Sequence, residues 1–123
     1  MPATGPVYEI AANGGGDMSV PVRPGYKFQV SYIRAHFRRL SGSGTDVATL
    51  TADLDSWRGD DYDVRLASFP SVGVGTDVHF RINDEEASQW VFENGDGLTF
   101  NWTNPDTAGE IRWGIDIGVV PWA

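Results

Sequence analysis

From Gly97 to Val120 apolar and polar residues alternate with a period of two. Leu98, Phe100 and Trp102 lie between Thr99, Asn101 and Thr103, and Ile111, Trp113, Ile115, Ile117 and Val119 alternate with Arg112, Gly114, Asp116 and Gly118. A chain whose successive side chains point to opposite sides is a β-strand. The stretch therefore predicts one long hairpin, closed by a loop around Asn104-Pro105-Asp106. A large apolar side chain contributes about 1.5 to 3 kcal/mol when it is fully buried. A face carrying two Trp, a Phe, a Leu, three Ile and a Val thus needs a second apolar sheet to cover it.

The rest of the chain repeats this pattern in shorter pieces. Residues 1–16 contain two prolines, a strand candidate from Val7 to Ala11 and the run Asn13-Gly14-Gly15-Gly16. They predict an N-terminal arm that either orders on a neighbouring molecule or forms an edge strand of its own sheet; a sandwich domain follows over residues 17–123. Met18–Val22 suits a sheet edge, because Pro21 has no amide to donate, and Pro24-Gly25 makes a turn. Between Tyr26 and Phe37 the apolar face changes sides: Phe28, Val30 and Tyr32 share one face, Ile33, Ala35 and Phe37 the other. A β-bulge or a bend between sheets would reconcile them.

Residues 38–45 read as a loop. Ala48, Leu50, Ala52 and Leu54 then point one way, the turn Ser56–Asp61 follows, and Tyr62, Val64 and Leu66 are expected to face inward as the return strand of a second hairpin. Pro70–Gly75 reads as a loop, Val78, Phe80 and Ile82 as a strand, Asn83–Ala87 as a helical turn or loop, and Trp90–Phe92 as a short strand. Asn94–Gly97 is a tight turn. Eight or nine strands without an amphipathic helix of useful length predict an all-β, single-domain antiparallel β-sandwich. A jelly-roll-like arrangement is preferred to an immunoglobulin-type one, whose paired Cys around a core Trp are missing.

Composition narrows the function. The 123 residues suffice for a core without staples. Cysteine is absent, which excludes disulfide scaffolds, thiolate metal sites and Cys nucleophiles. A net charge of -8 repels phosphate backbones and anionic lipid, so neither nucleic acid nor a membrane is an expected partner. The start lacks the basic and apolar regions of a signal peptide, and the expectation is a soluble, unsecreted chain.

Candidate chemistry gathers at the second hairpin. Asp53, Asp55, Asp60, Asp61 and Asp63 surround its tip, a density of carboxylates suited to Ca²⁺, although the twelve-residue calcium-loop pattern is missing. Arg58-Gly59-Asp60 is the tripeptide that integrin ligands display, but Gly-Asp is also ordinary turn chemistry. His36 and His79 each sit within a strand with no second ligand at metal-like spacing. Asn101-Trp102-Thr103 matches the glycosylation pattern, yet its Asn and Thr are simply the outward residues of a strand. No Gly-x-Ser-x-Gly elbow occurs, and nothing separates a catalytic carboxylate pair from the other acids. The expectation is a protein that is not an enzyme. Trp90, Trp102 and Trp113 fall on inward faces, which leaves Trp57 and Trp122 to meet a sugar ring or a protein partner.

The order of these features resembles the small jelly-roll virion proteins of tailed bacterial and archaeal viruses. The resemblance is carried by the Gly-rich arm, Val22-Arg-Pro-Gly-Tyr-Lys-Phe28, the hairpin Leu54–Leu66, the step Glu93-Asn-Gly-Asp-Gly-Leu98 and the final strand Trp113-Gly-Ile-Asp-Ile-Gly-Val119. It implies a structural role in the virion, decorating or stabilising the major capsid shell, without catalysis or a cofactor. It also implies a symmetric homo-oligomer, with a trimer favoured. The expected contact residues are Val7, Tyr8 and Ile10 of the arm, Trp57, Arg58, Asp60 and Asp61 of the tip, and Trp122. The alternative is a carbohydrate- or receptor-binding module, such as one on a viral fibre.

Overall fold

The computed structural model describes residues 8–40, 46–75, 78–81, 90–106 and 110–122. The strands are β1 (Tyr8–Gly14), β2 (Met18–Val22), β3 (Phe28–Arg39), β4 (Val47–Asp55), β5 (Val64–Gly73), β6 (Val78–Arg81), β7 (Val91–Phe92), β8 (Gly97–Trp102) and β9 (Ile111–Pro121). They form two antiparallel sheets. One runs β1-β9-β3-β6, with β7 also paired to β3, and the other runs β2-β8-β4-β5. The chain is thus an all-β sandwich.

The predicted hairpin of β8 with β9 does not form. β8 pairs with β2 and β4, whereas β9 pairs with β1 and β3. Alternation fixes which side chains face inward but not which neighbour accepts the hydrogen bonds. Both apolar faces are as expected, with Leu98, Phe100, Trp102, Ile111, Trp113, Ile115, Ile117 and Val119 all buried. Each face belongs to a different sheet, and the two sheets cover one another. Phe37 of β3 and Trp102 of β8 meet across the interior with ring centroids 4.6 Å apart.

Two of the buried Trp donors are satisfied by backbone. Trp102 Nε1 donates to the Val72 carbonyl at 2.8 Å, and Trp113 Nε1 to the Gly16 carbonyl at 2.9 Å. Asn104 closes the same end of the sandwich, its side-chain amide donating to the Gly15 and Ile111 carbonyls at 3.2 and 3.1 Å while its backbone N–H donates to Asp17. One asparagine thus holds the β8–β9 connection against the β1–β2 loop, where a buried peptide edge would otherwise lose its partners.

The change of face in β3 is a bulge. Its register against β9 shifts between Val30 and Tyr32, and the extra residue, Ser31, donates through Oγ to the Gly118 carbonyl at 3.1 Å. Phe28, Val30, Ile33, Ala35 and Phe37 consequently all reach the same core. Tyr32, expected beside Phe28 and Val30, lies on the outside over Gly118, where an added Cβ would collide with its ring.

The second hairpin is present as β4 and β5, with two corrections. Tyr62 and Val64 do not face inward: both are exposed, because a 3-10 turn over Asp60–Tyr62 takes Tyr62 off the strand and the register shifts between Ala52 and Asp53. Nor does the strand stop at Pro70. β5 continues to Gly73, which proline permits because β5 is an edge strand and its register is irregular there, with Ser71 at φ 58°. β3 likewise runs on through Arg38 and Arg39, which were expected in a loop.

Residues 8–14 form an edge strand of this chain's own sheet. β1 lies antiparallel along β9 from Tyr8 opposite Val119 to Gly14 opposite Trp113, at the edge of its own sheet. Val7 and the stretch Asn83–Ala87 lie outside the described residues.

Candidate functional site

Among the described residues, three of the five exposed large apolar side chains stand at the β4–β5 tip, Leu40 and Val47 lying elsewhere. Trp57, Tyr62 and Val64 are 55, 55 and 52% exposed, and local chemistry explains how the tip keeps its shape. Gly59 enters the 3-10 turn at φ 113°, a conformation that side-chain-bearing residues rarely adopt. Within the turn Tyr62 N–H donates to the Gly59 carbonyl at 3.0 Å and Asp63 N–H to the Asp60 carbonyl at 3.2 Å. The Ser56 N–H donates to Asp63 Oδ1 at 2.8 Å, and the Arg58 N–H to Ser56 Oγ at 3.1 Å.

A second loop holds the tip from outside. Asp96, in the β7–β8 turn, is 8% exposed and accepts from two backbone amides, Trp57 N–H through Oδ1 and Glu93 N–H through Oδ2, each at 2.9 Å. A buried carboxylate that bridges two loops by charge-assisted bonds fixes their relative position. Beside it Gly95 has φ 95°, and a Cβ there would approach Trp57 Cβ to 3.0 Å. Arg58 then folds back over the aromatics, its guanidinium carbon 5.0 Å from the Trp57 ring centroid and 5.9 Å from that of Tyr62. Indole, phenol and guanidinium thus form one exposed cation–π stack.

The acidic residues of the tip divide into separate groups. Asp55, Asp60 and Asp63 can bring one carboxylate oxygen each within 4.8 Å of the others. Asp55 is already paired with Arg23, and Asp63 with the Ser56 amide. Asp53, expected with them, stands on the outer sheet face, accepting from Arg65 Nε at 2.8 Å, Asn101 Nδ2 at 3.1 Å and Thr51 Oγ1 at 3.2 Å. Burial pushes its carboxyl up, but those three hydrogen bonds and the Arg65 charge outweigh burial and hold it below the usual carboxylate range.

The structure brings Trp57, Arg58, Asp60 and Asp61 together on one projection. The other expected contacts are placed elsewhere. Tyr8 lies in β1 along β9; Ile10 is half-buried and packs on the core, so its side chain already serves this chain. Trp122 is half-buried, with its N–H donating to the Lys27 carbonyl at 2.9 Å. Sequence reasoning missed Asp96, whose partner Trp57 lies 39 residues away. It also missed the basic stripe Arg34, His36, Arg38, visible as every second residue of one strand.

No protein-family model matches the chain, and no curated protein sequence does. Among solved structures, a chain in the X-ray structure of tomato aspermy virus aligns with 96% of this chain and 78% of its own length, at 14% identity and a TM-score of 0.34. A chain in the structure of the Gt strain of infectious bursal disease virus aligns with 97% of this chain at 17% identity and a TM-score of 0.36; this chain spans 32% of it. The corresponding values for the Gx strain are 96%, 14%, 0.33 and 37%.

Proposed function

We propose that this chain is a structural protein of a tailed-virus particle, a capsid decoration or stabilising protein that assembles as a symmetric homo-oligomer, with the β4–β5 tip as the contact that joins one copy to the next. The observation that carries the assembly role is the stack of Trp57, Arg58 and Tyr62, exposed on a loop that Asp96 holds in place. Trp, Tyr and Arg are the residues that dominate binding energy at protein interfaces. A loop already fixed in shape avoids much of the ordering cost of association. The virion setting draws support from the succession of strand and turn signals along the chain.

The alternative of a glycan-binding module draws on the same Trp57. Arg58 disfavours it, because its guanidinium occupies a ring face on which a sugar would stack. Sedimentation velocity tests the assembly reading. The expected result is a closed oligomer, three chains in mass, for the natural protein and a folded monomer for the double variant Trp57→Ser/Tyr62→Ser. A natural protein that stays monomeric, or a variant that assembles as well as the natural chain, overturns it.

A further inference from the structure

The outer face of the five-stranded sheet gathers basic side chains in a protein that is acidic overall. Arg34, His36 and Arg38 project from β3, and Arg112 projects from β9 directly opposite Arg38. Like charges facing each other across neighbouring strands are destabilising. Asp116 on this face accepts two bonds of 3.0 Å from Arg34, and Glu9 lies beside the Tyr32 hydroxyl. Among the described residues neither Arg38 nor Arg112 has a carboxylate partner. In a chain of net charge -8 with seventeen acidic residues, a cross-strand pair of arginines left this way needs a reason.

The next row of the sheet supplies one. Gly114 lies between Asn13 of β1 and His36 of β3. Packing does not demand a glycine there, since a Cβ would meet nothing within 4 Å. Glycine inside a strand weakens it and often marks a bulge, a tight bend or a place where a ligand or another backbone comes close. The missing side chain opens a hollow of about 360 Å³ lined by Asn13, His36, Arg38, Arg112, Trp113 and Gly114. The Arg112 side chain lies along Gly15, where an added Cβ would come within 3.2 Å of its Nη1.

We propose that this hollow binds an oxyanion group, a sulfate, phosphate or carboxylate, clamped between Arg38 and Arg112 over the floor left by Gly114. Guanidinium groups match such oxygens in pairs, and one anion between them turns a repulsive contact into two attractive ones. The site shares no residue with the tip.

Sodium sulfate, titrated against sodium chloride at constant ionic strength, is the probe, read by the ¹H–¹⁵N resonances of the Gly114 amide and of Arg38 and Arg112 Nε–H and by thermal melting. The expected result is a saturable shift of all three resonances in the millimolar range and a rise in Tm that chloride does not give. Arg38→Gln and Arg112→Gln should each abolish both effects and, at low salt without sulfate, melt above the natural protein because the facing charges are relieved. Gly114→Val should fill the hollow and block the shift. If the Gly114 resonance moves with protein concentration alone, the oxyanion is a carboxylate of a second copy; if it moves only with sulfate, it is a free ion. A response that never saturates, or one that persists in both Gln variants, overturns the proposal.

Discussion

The β4–β5 tip and the outer face of the five-stranded sheet are both exposed and charged, and they treat charge in opposite ways. At the tip most of the charged groups singled out above have a partner, with Asp60 and Asp61 the exceptions: Arg58 lies on two rings, Asp96 and Asp63 accept backbone amides, and Asp55 meets Arg23. On the sheet face Arg34 is paired, whereas Arg38 and Arg112 confront one another. Internal compensation makes a rigid surface, and what that surface offers outward is aromatic. An uncompensated pair stores repulsion that an outside group can relieve. The first region suits contact with another protein surface, the second capture of a small charged group.

The two regions share one core, so the deepest perturbation should injure both. Trp102→Ala removes a fully buried indole packed on Phe37 and bonded to the Val72 carbonyl. It should cost about 3–5 kcal/mol in chemical denaturation. Asp96→Ala should separate the regions. It strands two backbone amides, should cost about 1–3 kcal/mol, and should speed hydrogen exchange at Trp57 and Glu93 while leaving the Gly114 amide untouched.

A smaller effect is expected from Asp53, whose folded pKa lies below its unfolded value. Its stabilisation is then fully present above the unfolded pKa and lost as pH falls through the folded one. Stability of the natural protein should therefore fall more steeply below about pH 4 than that of Asp53→Asn. The smallest effect is expected from a chelator. With Asp55 and Asp63 already engaged, calcium removal should leave the melting temperature unchanged.

Which side chains of β8 and β9 turn inward was legible in the sequence, because period two encodes the face of a strand whatever its neighbours; it failed for Tyr32, Tyr62 and Val64, where a bulge and a 3-10 turn break the period. Trp102 and Trp113 were placed in the core on that ground alone. Their sheets were not legible: β8 and β9 look like hairpin partners until the pairing of β1, β2, β3 and β4 is known, and that pairing is long-range. Trp57 could be read as exposed from the Gly and Asp around it. Asp96 could not be joined to it, since nothing local distinguishes a buried loop-bridging carboxylate from a solvated turn residue. The Arg38–Arg112 pair was hidden for the same reason, half of it lying in a stretch read as loop.

Labelling the five tryptophans with fluorine and recording ¹⁹F spectra across the concentration range of assembly tests the account most directly. The resonance that Trp57→Phe identifies as the tip should move as copies associate, while those of Trp102 and Trp113 stay in place. Assembly that leaves the Trp57 resonance still would contradict the tip as the contact surface. Movement of the two buried resonances would contradict the rigid sandwich behind it.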